Sequence, residues 1–179
     1  IDSAVTSTLC AKTGLPTLCV EMPIHQSENQ VNRGKEHIKQ LKKKFSNVSA
    51  TKFDLTTVFE DFKNQDTDPK DINTLNLSLA NTRARLRMTA LYYYAGLKKY
   101  LVVGTGNKVE DFGIGFYTKY GDGGVDLSPI ADLMKSEVYV LGLLLEVPKT
   151  VQSAAPTDGL FGDNRTDEEQ IGASYDELE

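Results

Sequence analysis

With 179 residues, of which 40% are hydrophobic and 25% charged, the chain has the size and composition of one domain with a sizeable core. Its net charge of −5 argues against a general nucleic-acid-binding surface, and no apolar run approaches the roughly 20 residues of a membrane span. Cys10 and Cys19 sit among apolar residues without a C-x-x-C, which reads as two buried free thiols and a cytoplasmic address. His25 and His37 are too few for a histidine-rich metal site.

Ile1 to Ala4 runs straight into a helical segment that stops near Lys12-Thr13-Gly14, so the chain is expected to begin in mid-motif, without a preceding strand. Asp2 and Ser3 suit a helix N-terminus, where plain capping is a strong alternative to a role in binding. Leu18–Met22 reads as a parallel strand. Residues 28–45 form a helix with Val31, Ile38, Leu41 and Phe45 on one face. Its lysines 35, 39 and 42–44 read as a solvated face rather than a nucleic-acid platform, since no aromatic residues are interleaved.

Residues 47–55 suggest a second strand, and 56–64 a short helix with Val58, Phe59 and Phe62 inward. Gln65–Asp71 is a polar breaker and reads as an exposed loop. A long helix from about Leu75 to Leu97 carries Asn81, Arg83, Arg85 and Arg87. Arg83 and Arg87 share a face, as do Asn81 and Arg85, and at about 3.6 residues per turn Arg85 lies roughly 200° from Arg83. Surface salt bridges are expected for at least one of the three arginines.

Leu101–Val103 is too short for a helix and reads as a buried strand. After it comes a long connection with seven glycines between Gly104 and Gly124, loaded with Lys108, Glu110, Asp111, Lys119, Asp122 and Asp126. A charged, glycine-rich loop at a strand's carboxyl end is where open α/β sheets place ligands, and Phe116, Tyr117 and Tyr120 argue against disorder. Residues 135–145 form a helix with Val138, Leu141, Leu144 and Leu145 as its apolar face, stopped by Pro148. Gly162–Asp167 reads as a loop able to order over a ligand, and the acidic 167–179 as helical. Strands alternating with helices indicate an α/β fold with a mostly parallel sheet.

Four separated segments resemble the ammonia-dependent NAD synthetases. Ile1-Asp2-Ser3-Ala4 is similar to the tail of the family's S-G-G-x-D-S motif, whose S-G-G lies outside this chain, and residues 79–88 resemble its helix motif N-x-x-A-R-x-R-M. Gly104-Thr105, Glu110, Thr118-Lys119-Tyr120-Gly121-Asp122-Gly123-Gly124 and Asp126 supply the central segment, and Pro156-Thr157 and 171–176 the late ones. The S-G-G-x-D-S remnant is weak by itself because other ATP pyrophosphatases share it; T-K-Y-G-D-G-G in order beside the others is specific.

The resemblance implies a three-layer ATP pyrophosphatase (Rossmann-like) fold, with 1–179 forming a single domain short of the family's N-terminal strand, S-G-G and C-terminal end. It implies that ATP adenylates the nicotinate carboxylate of deamido-NAD, that pyrophosphate leaves, and that ammonia attacks to give the amide and AMP. Asp2 and Glu110 would hold Mg2+; Ser3, Thr105, Lys135 and Thr157 would contact ATP; Arg85, Lys119 and Asp126 would contact deamido-NAD. A homodimer with the dinucleotide site near the subunit interface is implied as well. No nucleophilic side chain is required, since positioning and charge stabilisation carry the step. Glu21 departs from the arginine of many relatives, and one extra residue separates Glu110 from Thr118-Lys119. The rival readings are another ATP pyrophosphatase, such as an amidotransferase synthetase, and a nucleotide-binding protein without catalysis.

Overall fold

A computed structural model of the chain describes residues 1–65, 71–161 and 165–179. In chain order it contains α1 (Asp2–Lys12), β1 (Thr17–Glu21), α2 (Glu28–Lys44), β2 (Val48–Lys52), α3 (Thr56–Lys63), α4 (Ile72–Lys98), a π-helical turn (Lys108–Ile114), α5 (Lys135–Leu144), α6 (Lys149–Gln152), α7 (Asp167–Ile171) and α8 (Tyr175–Leu178). The segments 65–71 and 162–167, which the sequence marks as loops, fall partly outside the described residues.

β1 and β2 pair in parallel, Thr17 opposite Val48 through Glu21 opposite Lys52, and α2 makes the crossover between them. Its start is fixed by Ser27, whose side chain accepts from the Gln30 amide. α4 starts at Asp71, which accepts from the amides of Asn73 and Thr74, and ends at Lys99 in the left-handed region. The fold is thus α/β, with parallel strands flanked by helices.

Several expectations change. The run 101–103 is no regular strand: Val103 makes a single parallel bridge to Leu127, and Leu101 is 63% exposed. The Val102 amide is taken by the Asp126 side chain, so the usual ladder cannot continue through it. Asp2 and Ser3 do not cap α1; Ile1 occupies the N-cap and Asp2 opens the first turn. On α3 only Phe59 goes inward, while Val58 and Phe62 face solvent, because a two-turn helix packed on one side of α4 buries a single ridge. Leu144 on α5 is 75% exposed, one step around from the buried Val138. The acidic 167–179 segment is two short helices, broken where Gly172 takes φ +82°. Both cysteines are free, but partly rather than fully buried.

The core has three centres. Val5 and Ala4 of α1 meet Val138 of α5, Ile130 and Val147. Ile24, Leu55, Phe59 and Ala90 join α3 to α4, and Ala11, Leu41 and Val48 join α1, α2 and β2. The first centre positions the site. Gly142 lets α5 approach α1 so closely that a Cβ there would stand 2.8 Å from Ile1 Cδ1. The first turns of the two helices, carrying Asp2 and Lys135, are brought together as a result.

Candidate functional site

Lys135 is 3% exposed although it carries a full charge. Its Nζ donates to Asp2 Oδ2 at 2.7 Å and to Glu110 Oε1 at 2.8 Å. A buried charge costs several kcal/mol unless it is paired and hydrogen-bonded, and here it is paired twice. Burial alone would lower the Lys135 pKa, but Asp2 and Glu110 more than reverse this and hold it above the ordinary lysine range. Asp2 responds in the complementary sense: burial pushes its carboxyl up, and Lys135 pulls it below the usual range.

Two uncharged side chains complete this group. Asn107, fully buried, donates from Nδ2 to Asp2 Oδ1 at 3.0 Å, while its Oδ1 accepts from the Glu110 amide at 3.1 Å. It therefore caps the π-helical turn that carries Glu110 and ties that turn to α1. Tyr175 donates its hydroxyl to Glu110 Oε1 at 2.5 Å, and the Lys135 ammonium lies 5.0 Å from its ring centroid.

Further carboxylates surround the group. Burial, then the charges of Asp122, Glu110 and Asp2, push Asp111 up to about 6. Asp167 is likewise raised to about 6 by burial, against the opposing pull of Lys135. Among the described residues no three histidine, cysteine or acidic side chains are arranged to hold a metal by themselves. Mg2+ does not need such a cage; it binds through one or two carboxylates together with substrate phosphates. Asp2 and Glu110 supply two hard carboxylates on either side of one cationic position, at present spanned by the Lys135 ammonium, so the donor set fits that ion.

The second group lies along α4. Arg85 donates from Nε to the Lys119 carbonyl at 3.1 Å, and Thr118 donates to Asn81 Oδ1 at 2.7 Å. The Asn81–Arg85 face thus holds the glycine-rich connection. Gly121 packs there so tightly that a Cβ would stand 2.9 Å from Ala84 Cβ. Tyr92 donates to Asp126 Oδ1 at 3.0 Å. Met88, Tyr92, Tyr117, Lys119, Tyr120 and Gly123-Gly124 line an open cleft of about 470 Å³. The opposite face is structural: Arg87, lowered to about 10 mainly by burial, donates to the Met22 carbonyl, and Arg83 lies 4.0 Å over the Phe59 ring and donates to the Leu160 carbonyl. Among the described residues, all three arginines donate to backbone carbonyls and none makes the expected surface salt bridge.

The structure thus brings Asp2, Glu110 and Lys135 into one group; of the second set Lys119 alone lines the cleft, while Arg85 and Asp126 reach it through the Lys119 carbonyl and the Tyr92 hydroxyl. Ser3 is exposed beside Asp2, and Thr105 is half-buried two residues before Asn107. The Thr157 hydroxyl is engaged locally, donating to the Arg165 carbonyl and accepting from the Gly159 amide. Among the described residues, no side-chain hydrogen bond joins these three to the Lys135 group. Sequence reasoning missed Asn107 and Tyr175, and it noted Asp111 and Asp167 only within candidate ligand loops, without a place in this group. Tyr175 lies inside a segment that carries the family resemblance, which was its one signal; Asn107 had none beyond following the Gly104-Thr105-Gly106 turn.

Residues 1–179 match the family model described as NAD synthase. The chain is 39% identical over 183 residues to the NH(3)-dependent NAD(+) synthetase of Mesoplasma florum, covering 100% of this chain and 70% of that protein. It is 46% identical over 99 residues to the protein of that name from Methanococcoides burtonii, covering 55% of this chain and 37% of the relative. Among solved structures it resembles the NMN synthetase from Francisella tularensis, with TM-score 0.87, 34% identity, and coverage of 99% of this chain and 70% of that one. It also resembles the NH3-dependent NAD synthetase from Campylobacter jejuni, with TM-score 0.71, 30% identity, and coverage of 83% and 61%.

Proposed function

The chain belongs to the NAD synthase family, ATP-using carbon–nitrogen ligases of NAD biosynthesis, and we propose that its two residue groups divide the amidation of deamido-NAD by ammonia between them. The observation that carries this reading is the buried Lys135 held between Asp2 and Glu110 at the first turns of α1 and α5.

ATP binds at this group. Lys135 offers a point charge to phosphate oxygens, Asp2 and Glu110 hold Mg2+, and Ser3, Thr105 and Thr157 contact the nucleotide. The bound ion would neutralise phosphate charge as pyrophosphate departs. Arg85, Lys119 and Asp126 hold deamido-NAD at the α4 cleft, a role supported by Lys119 lining it and by the hydrogen bonds of Arg85 and Asp126 to the lining residues Lys119 and Tyr92. In the first step the nicotinate carboxylate attacks the α-phosphorus, its bond to pyrophosphate breaks, and an acyl-adenylate forms. Ammonia then attacks the acyl carbon, AMP leaves, and a proton is lost. The chain's residues bind and orient the reactants, and no covalent bond to a side chain is made.

Residues 1–179 act as one domain in this reading. It works as a homodimer in the cytoplasm; the two free thiols support the address, and no helix among the described residues is long and apolar enough to cross a membrane. A second substrate reading, amidation of the mononucleotide, is favoured by the likeness to the Francisella structure.

The test is incubation with ATP, magnesium and ammonium, plus either deamido-NAD or nicotinate mononucleotide, followed by assay of amide and pyrophosphate. Faster turnover of deamido-NAD is expected. Amide from the mononucleotide alone would replace the first substrate with the second, and no amide from either would sink the ligase reading. Glu110→Ala should abolish adenylation with the fold retained, whereas wild-type turnover in that variant would remove Glu110 from the metal site.

A further inference from the structure

Tyr175 is 7% exposed, and its hydroxyl, which must find a partner when buried, selects Glu110 from a turn 65 residues away in sequence. It donates to the same oxygen, Oε1, that accepts from Lys135. Glu110 is reached from a π-helical turn and has three side-chain torsions to fix. Two donors meeting on one of its oxygens from different elements, α5 and α8, restrict those torsions; Oε2 takes part in neither bond. The ring of the same tyrosine stands 5.0 Å from the Lys135 ammonium, so one side chain touches both partners of the ion pair. Tyr175 is itself held in place: its amide donates to Glu168 Oε1 at 2.8 Å, and Glu177 accepts from the Ser174 amide and hydroxyl.

We propose that Tyr175 is a positioning residue for the ATP half of the site: its hydroxyl sets the Glu110 carboxylate, through Oε1, in the orientation that would hold the divalent cation accompanying ATP. The inference rests on the assignment of Asp2, Glu110 and Lys135 to ATP and Mg2+. It adds α8 to the elements that build the site. A phenylalanine at this position would fill the same space and keep the ring under Lys135, so a side chain needed for packing alone would not require the hydroxyl.

The experiment is calorimetric titration of ATP into the full chain across a series of magnesium concentrations, for wild type, Tyr175→Phe, Glu110→Gln and the double variant. Turnover is followed in parallel. Removing an outer-shell partner of a metal ligand typically costs ten- to hundredfold, so Tyr175→Phe should raise the magnesium concentration for half-maximal ATP binding about tenfold. Saturating magnesium should restore turnover, which a disturbed fold would not allow. In the Glu110→Gln background the same change should add nothing, because the effect passes through Glu110. Wild type that binds ATP, with Tyr175→Phe showing the same magnesium dependence, overturns the inference alone. So does a defect that persists at saturating magnesium, or one that adds in full to Glu110→Gln. Wild type that binds no ATP at any magnesium concentration overturns the underlying assignment and the inference with it.

Discussion

Lys135 sits at a helix N-terminus, where the helix dipole disfavours a cation, and it is buried there. What stabilises it is the pair of carboxylates at 2.7 and 2.8 Å. The converse also holds, because Asp2 and Glu110 depend on Lys135 for charge balance. Breaking a buried ion pair from one side costs about 3–5 kcal/mol. Lys135→Ala is therefore expected to lose about 3 kcal/mol of stability in urea denaturation, with added magnesium recovering part of the loss by taking over the cationic position. Wild-type stability in that variant, with no response to magnesium, would mean that the three charges do not form one unit. The residue types here were legible in the sequence: an acidic position after Gly104-Thr105 and a lysine opening a helix. Their mutual contact was not, since Asp2 and Lys135 are 133 positions apart.

α4 is the element on which the dinucleotide half is built. Its two faces follow from helical periodicity, and the arginines sort as the 3.6-residue repeat requires: Arg83 and Arg87 inward to Leu160 and Met22, Arg85 outward to Lys119. The glycine-rich connection is laid onto the outer face because Ala84 and Gly121 together leave room for it. A larger side chain at 121 has to move either α4 or the connection. Gly121→Val is expected to raise the KM for deamido-NAD about tenfold, on the order of 1.4 kcal/mol, while ATP binding measured by calorimetry stays near wild type. Equal losses for both ligands would contradict the division into two groups. The strand expected at 101–103 shows the limit of local reading: a short apolar run signals burial, but whether a ladder forms depends on which backbone groups lie beside it.

The stability of the whole molecule carries a pH signature in His37, on the α2 side of the α1–α2 contact. Its Nε2 lies 2.9 Å from Ser7 Oγ; that hydroxyl donates to the Ser3 carbonyl, so Nε2 is the donor to Ser7, while Nδ1 is buried without a partner. Burial lowers the His37 pKa from 6.5 to about 4. The unfolded chain binds a proton as pH falls below about 6.5, whereas the native chain stays neutral until about 4. Stability is therefore lost across that window and levels off below it. The loss amounts to about 2–3 kcal/mol at most. Asp111 and Asp167, raised to about 6, act in the opposite sense, since the native chain protonates them first. Comparison with His37→Asn isolates the histidine: between pH 7.5 and 4.5 wild type should lose stability relative to the variant by about 2 kcal/mol. A constant difference would show that His37 titrates normally in the fold.

By itself the sequence determined what is local or repeated: the alternation of strands and helices, the stops at Gly14 and Pro148, the two faces of α4, and the segments that mark the family. Each of these depends on residues a few positions apart, where periodicity and turn chemistry act. Tertiary structure decided the rest. It chose Phe59 over Val58 and Phe62, and Val138 over Leu144, because the packing partner, rather than the amphipathic pattern, selects the ridge that is buried. It also carried Tyr175 and Asn107 to Glu110 and Asp2. Convergence of side chains from α1, the π-helical turn, α5 and α8 follows from how helices close against one another, as at Gly142, and no spacing within a single segment encodes it.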